Sequence, residues 1–372
     1  MKAINSGFPE KMLFALLCAA LHQREVEDGC FRNASEEDWR ECYSIAVRQG
    51  VSALAWAGIE RMPESCSPPL NVKLSWALKE NDQTATYKAH CLAASEMTKF
   101  LAEHGIATVI LKGVGLSRLY PVPARREGGD IDIYTYSADK SRMSDEEANR
   151  LADKLIYEHG AIIDDTPSEK HSKCGFNGMI VENHRMFVHL AECRTTVKAE
   201  QWLKAHMATE TVQLLDGECR INVPSTYFDT VFIPLHAAQH YGNGLSLKHL
   251  CDWAIVLKHN GMKLPAEPDD KYFRKAVNVL TQLCNQYLGL AIPVAEDERL
   301  AEEIMQEILY PPYYRKVPEG NSIRSRFIRL MNRIHIFRLQ HSLLGVSFWG
   351  KIRGMLVREI KNIFYALLFS FS

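Results

Sequence analysis

The sequence lacks most features that would place it outside the ordinary globular class. No apolar run approaches the ~20 residues that span a bilayer, which excludes a helical membrane anchor within it. None of the ten cysteines forms a CxxC pair, so zinc-ribbon and thioredoxin motifs are absent. Neither sign of charge dominates: 44 Lys and Arg stand against 45 Asp and Glu, so bulk affinity for nucleic acid is not indicated. There is no internal repeat and no low-complexity stretch. A content of 47% hydrophobic and 24% charged residues excludes a disordered chain. Ten scattered cysteines in 372 residues fit reduced, buried thiols in a cytoplasmic protein. The apolar stretch Met12 to Leu21 follows Pro9, Glu10 and Lys11, and reads as an amphipathic first helix rather than a secretion signal.

Charge is unevenly distributed. From Ile323 to Ser372 there are nine Lys and Arg and one acid, a net +8, which leaves −9 on the rest. Aromatic residues are interleaved there, among them Phe327, Phe337, Trp349 and Phe364. The simplest reading is a pair of helices packed on the acidic body; an anionic membrane surface, an acidic partner or a nucleic acid is the alternative.

Pattern divides the chain into four parts. Residues 1–105 read as helical, with Ser35 before Glu36 and Glu37 as a helix start and a long helix from Val72 to His104. Residues 106–223 mix strands and helices: Ile106 to Ile110 and Asp130 to Tyr136 are strands, Val114 to Tyr120 is a short helix, and Met143 to Gly160 is a helix capped by Ser144. Met179 to Glu182 and Met186 to Leu190 read as strand segments, with Arg220 to Val223 another. Residues 224–310 return to helices, from Ser225, Ser246 and Tyr272, and 311–372 form the basic tail. The fold class expected is α+β, a small mixed sheet with helices, flanked by helical regions.

The strongest local signal is Asp130-Ile131-Asp132. On a strand, residues i and i+2 share a face, so the two carboxylates stand side by side while Ile131 turns into the core. Paired carboxylates repel unless a cation or proton joins them, and Mg²⁺ takes such oxygen ligands. Gly128 and Gly129 just before them allow a ligand close to the backbone. Lys112-Gly113, at a strand-to-helix junction, suits a phosphate, and Lys112, Arg118, Arg125 and Arg126 supply cationic groups. Together these features suit phosphoryl or nucleotidyl transfer better than acyl or hydride transfer.

Ile110-Leu-Lys-Gly113, Leu119-Tyr120, Arg126, Gly129-Asp-Ile-Asp-Ile133 and Val181-Glu-Asn-His184 resemble the motifs of the uncharacterised nucleotidyltransferase family of the DNA polymerase beta-like superfamily. His236-Ala-Ala-Gln-His240 and Asp252-Trp-Ala-Ile-Val-Leu257 resemble that family's C-terminal helices. The resemblance implies that Asp130, Asp132 and Glu182 hold Mg²⁺ or Mn²⁺. It implies that Gly113, Gly129, Lys112 and Arg126 meet an NTP's phosphates, and that an NMP passes to a small-molecule or protein acceptor with release of pyrophosphate. His184 and His171 would orient a carboxylate or touch the acceptor. A catalytically inactive nucleotide- or partner-binding module, or γ-phosphoryl transfer in the same pocket, is the alternative.

Two positions depart from the pattern. The turn is Lys112-Gly113-Val114 rather than Gly-Gly or Gly-Ser, and 16 residues separate Gly113 from Asp130. Asn183 follows Glu182 where an apolar residue is usual, which marks an edge or irregular strand. His236 and His240, at i and i+4, have a metal-compatible spacing; with no third ligand nearby in sequence they read as a helix face packed on the core. Tyr120 reads as core, and Asp252 as a packing or capping partner of Lys248 or a histidine.

Overall fold

The structure is a computed structural model and describes residues 7–26, 29, 31–159, 161–164, 170–190, 193–311, 323–347 and 349. In chain order the elements are α1 (Phe8–His22), α2 (Glu36–Arg48), α3 (Ser52–Ile59), α4 (Leu70–Ala102), β1 (Ile106–Ile110), α5 (Val114–Ser117), β2 (Ile131–Ser137) and α6 (Asp145–His159). There follow β3 (Ala161–Asp164), β4 (His171–Phe176), β5 (Met179–His184), α7 (Arg194–Ala205), β6 (Thr209–Leu214) and β7 (Cys219–Pro224). The chain continues through α8 (Thr226–Gln239), α9 (Leu247–His259), α10 (Lys271–Leu288), α11 (Glu298–Leu309) and α12 (Ile323–Leu344). This is an α+β fold. Local chemistry starts the helices as expected: Ser35 and Asp38 form a reciprocal capping box on α2, and Ser144 accepts from the backbone N–H of Glu147 at 3.2 Å ahead of α6.

The main sheet has the order β1-β2-β5-β4-β3. β2 and β5 run parallel, and the other neighbours are antiparallel. β6 and β7 form a separate hairpin. One core lies between this sheet, α6, the hairpin and the second half of α4, through Met97, Ile110, Ile133, Phe176 and Val181. A second core is mainly helical, with Val109 of β1 and the loop residues Phe187 and Val188 included. It joins α1 to α3 and the start of α4 to α8 through α12, so that Met12, Trp76, Phe228, Trp253 and Leu283 belong to one cluster. Residues from both ends of the sequence therefore share a core, and α4 runs from one core into the other. Each large apolar side chain buried this way contributes ~2 kcal/mol by area. The indole N–H of Trp76 reaches the Ser52 carbonyl at 2.9 Å and that of Trp253 reaches Thr281 Oγ1 at 3.0 Å, so neither burial strands a donor.

Four expectations change. The short helix after Gly113 ends at Ser117, because the chain tightens into turns at Leu119 and Tyr120 ahead of Pro121. Residues 186–190 are not a strand: the Glu200 carboxylate takes the N–H groups of Phe187 and Val188 at 2.9 and 3.0 Å, and so replaces a ladder partner. Asn183 does not mark an edge. β5 lies between β2 and β4, and the buried Asn183 amide is satisfied by Thr135, Asn149 and Asp153 at 2.8 to 3.0 Å. The strands β4 and β6 are additional, since their sequences do not alternate apolar and polar residues.

Among the described residues no helix is long and apolar enough to cross a membrane. The tail begins as α12, whose Leu339, Leu343 and Leu344 are buried in the helical core while Phe327 and Met331 are exposed. Lys351, Arg353, Arg358, Lys361 and Phe364 lie outside the described residues.

Candidate active site

Strand register assembles the acidic side chains. Ile131 is in the core, and Asp132 stands directly opposite Glu182 across the parallel β2–β5 pair. The antiparallel β4–β5 pair sets Lys173 opposite Glu182 and His171 opposite His184. Asp130 lies one residue before β2, on the same side as Asp132 by strand alternation.

Electrostatics hold these groups in place. Asp132 is buried, and its Oδ1 accepts from Lys112 Nζ at 2.7 Å and from His184 Nε2 at 3.0 Å. Burial would raise the Asp132 pKa, but Lys112 and His184 outweigh it and hold the carboxyl well below the usual range. Asp130 behaves oppositely: burial raises its pKa, with Lys173 opposing. Lys173 Nζ lies 3.1 Å from Glu182 Oε1 and 3.7 Å from Asp130 Oδ2. His171 Nε2 is 3.6 Å from Glu182 Oε1, and His184 Nε2 is 3.8 Å from Glu182 Oε2. Burial lowers the pKa of both histidines. These three carboxylates, Asp132 held by Lys112 and the other two shared by Lys173, are a donor set that a hard divalent cation fits. Lys173 shows that Asp130 and Glu182 can share one positive charge.

The turn beside them depends on glycine. Gly113 has φ +60° and ψ −124°, and a Cβ there would meet the Asp130 carbonyl oxygen at 3.4 Å. A Cβ on Gly115 would come within 2.5 Å of the Ile110 carbonyl oxygen. α5 itself is a single turn of four residues, too short to build a sizeable macrodipole, so the fit to a phosphate here rests on the glycine turn and Lys112. Gly128 and Gly129 face open space, and the Gly129 carbonyl accepts from His90 Nε2 at 3.0 Å.

The arginines are committed elsewhere. Arg118 donates to the carbonyls of Gly115 and Pro224 at 2.6 and 2.9 Å, and Arg125 pairs with Glu60 and Glu80. Neither lines the cleft that holds the acids. Arg126 does line it, but gives Nε and Nη2 to Asp252, each at 2.8 Å. Asp252 therefore partners Arg126, rather than Lys248 or a histidine, and takes the Tyr120 hydroxyl at 2.6 Å as well. Tyr120 is buried core, as expected.

The cleft encloses about 210 Å³. One wall is Lys112, Gly113, Gly128, Gly129, Asp130 and Asp132; the other is His236, His240, Lys248 and His249 from the C-terminal helices. Glu182 is not among its lining residues and joins the pair through Lys173 and His184.

The sequence profile of the family described as "Uncharacterised nucleotidyltransferase" matches residues 35–291, more than half of the chain. The chain belongs to this family. The family region takes in every acidic and glycine residue of the cleft and both of its histidine-bearing helices. Among solved structures, an antigenic nucleotidyltransferase-like protein from Paracoccidioides brasiliensis is similar at 12% identity, with a TM-score of 0.36 over 55% of this chain and 94% of that one. No curated protein matches the sequence.

Sequence reasoning missed three contributors in this nucleotidyltransferase family member. Lys173 sits on a strand without the usual apolar alternation, Lys248 is one of many helix lysines, and His249 completes a cluster only after two helices fold together.

Proposed function

We propose that this chain transfers an NMP from an NTP to a hydroxyl-bearing small molecule or protein, dependent on Mg²⁺ or Mn²⁺. The observation that carries this reading is one cleft in which the Asp130/Asp132 pair, with Glu182 as its register partner, faces a glycine turn on one side and Lys248 on the other. Asp130, Asp132 and Glu182 would hold the cation, which when bound would neutralise phosphate charge and favour the acceptor's alkoxide. Gly113, Gly128 and Gly129 leave room for phosphate oxygens beside the backbone, while Lys112 and Lys248 supply positive charge. The acceptor oxygen forms a bond to the α-phosphorus, the bond from that phosphorus to the bridging oxygen breaks, and pyrophosphate departs; the acceptor's proton goes to solvent. His184 positions Asp132 through the 3.0 Å hydrogen bond. Nine free cysteines among the described residues suit a reducing, cytoplasmic setting. The exposed Arg324, Arg333 and Arg338 of α12, beside exposed Phe327, suit an acidic partner or an anionic membrane surface.

The test is to incubate the protein with Mg²⁺, candidate acceptors and each NTP labelled at the α- or γ-phosphate. Label moving from the α-position with release of pyrophosphate supports the proposal. Transfer of the γ-label with release of a nucleoside diphosphate would make it a kinase-like reaction. NTP binding without turnover would leave a binding module.

A further inference from the structure

We propose that His236, His240 and His249 form a site for a borderline divalent transition metal of the zinc class, separate from the carboxylates across the cleft. His236 and His240 are one turn apart near the end of α8 and so share a face. The chain then reverses tightly. The N–H groups of Asn243 and Leu245 both donate to the His240 carbonyl, at 2.7 and 2.9 Å. Gly242, at φ +83°, packs where a Cβ would meet Leu339 Cδ1 at 3.0 Å. This closure brings His249, in the first turn of α9, against the other two rings.

The spacing is that of a ligand set. One ring nitrogen from each histidine lies within 4.8 Å of the others. The ring centroids are 4.5, 4.9 and 5.5 Å apart. Three imidazoles bound tetrahedrally at ~2.0–2.1 Å place their centroids about 5 Å apart, so the rings already stand near the positions a single ion would require. A packed core histidine normally spends its nitrogens on nearby partners. The His236 ring is only 8% exposed, lines the cleft and makes no hydrogen bond among the described residues. His249 Nδ1 lies 2.9 Å from Ser246 Oγ, an outer contact that orients the ring and leaves Nε2 as its available ligand atom. Burial, reinforced by Lys112, keeps His236 and His240 neutral, and burial does the same for His249; neutral imidazole is the form that binds metal.

Three nitrogen ligands select against Mg²⁺, which prefers oxygen, so the two walls of the cleft would take different metals. Three protein ligands also leave a fourth position, and the cleft supplies space for water or a phosphate oxygen there. The proposal rests on the ring geometry and stands apart from the nucleotidyltransferase reaction.

The experiment uses the full chain, stripped of metal with a chelator. Zn²⁺ alone is titrated against a competing chelator, and Co²⁺ is followed by its visible spectrum. The expected result is one equivalent bound, intense tetrahedral Co²⁺ bands, and a loss in affinity of at least about 100-fold in His240→Gln and in His249→Gln. Asp130→Asn/Asp132→Asn should retain the Co²⁺ spectrum. The unsubstituted protein decides the matter even if a histidine variant fails to fold. Absence of stoichiometric binding, an octahedral Co²⁺ spectrum, or folded histidine variants that bind as tightly as the parent would overturn the proposal.

Discussion

Asp252 on α9 grips Arg126 through two 2.8 Å hydrogen bonds, tying the C-terminal helices to the loop just ahead of the Asp130/Asp132 pair. Both side chains are buried, and Tyr120 adds a third donor to the same carboxylate. Removing one partner leaves the other as an uncompensated buried charge. Arg126→Ala and Asp252→Ala should each cost about 3–5 kcal/mol, and the double variant less than their sum. Urea denaturation of the three variants checks this; additive losses would show that the pair is not coupled.

Glycines near the cleft should separate into two kinds. Gly115→Ala places a methyl 2.5 Å from the Ile110 carbonyl oxygen, so the turn must shift and the protein should lose thermal stability. Gly128→Ala meets nothing within 4 Å and should leave Tm unchanged. Because Gly128 lines the cleft, that variant should weaken NTP binding instead. Thermal melts and nucleotide titrations on both variants read the two effects apart.

Asp229 gives a pH dependence of opposite sign to that of an ion-paired carboxylate. It is fully buried, neither oxygen has a hydrogen-bond partner among the described residues, and Arg118 Nη2 is 3.6 Å away. Burial pushes its pKa up to about 8, against the partial pull of Arg118. The folded state therefore keeps a proton that the unfolded chain loses near pH ~4, and stability falls as pH rises from there towards 8. Asp229→Asn removes this loss. Its Tm advantage over the parent should widen between pH 5 and pH 8 and then level off; a constant difference would contradict the assignment.

What was legible in the sequence was local. Asp130 and Asp132 announce themselves by strand alternation, and Ser35 by its capping chemistry. Contacts between distant segments were not legible. The rings of His236, His240 and His249 meet only because a loop closes on the His240 carbonyl, and no spacing in sequence encodes that closure. Arg126 looked like a phosphate ligand because its type and place suit one, but its partner lies 126 residues further along the chain. The run from Met186 to Leu190 has a strand's composition, yet the Glu200 carboxylate takes the N–H groups a strand would need. Asn183 looked like a defect in its strand until the residues that satisfy it came together from β2 and α6.

The most direct test of the central claim is calorimetric titration of each NTP with Mg²⁺ into the parent protein and into Asp130→Asn/Asp132→Asn, with circular dichroism to confirm that the variant is folded. The account predicts Mg²⁺-dependent binding of at least one NTP by the parent and its loss in the folded variant. Equal binding by the two proteins, or binding that does not need the cation, would contradict it.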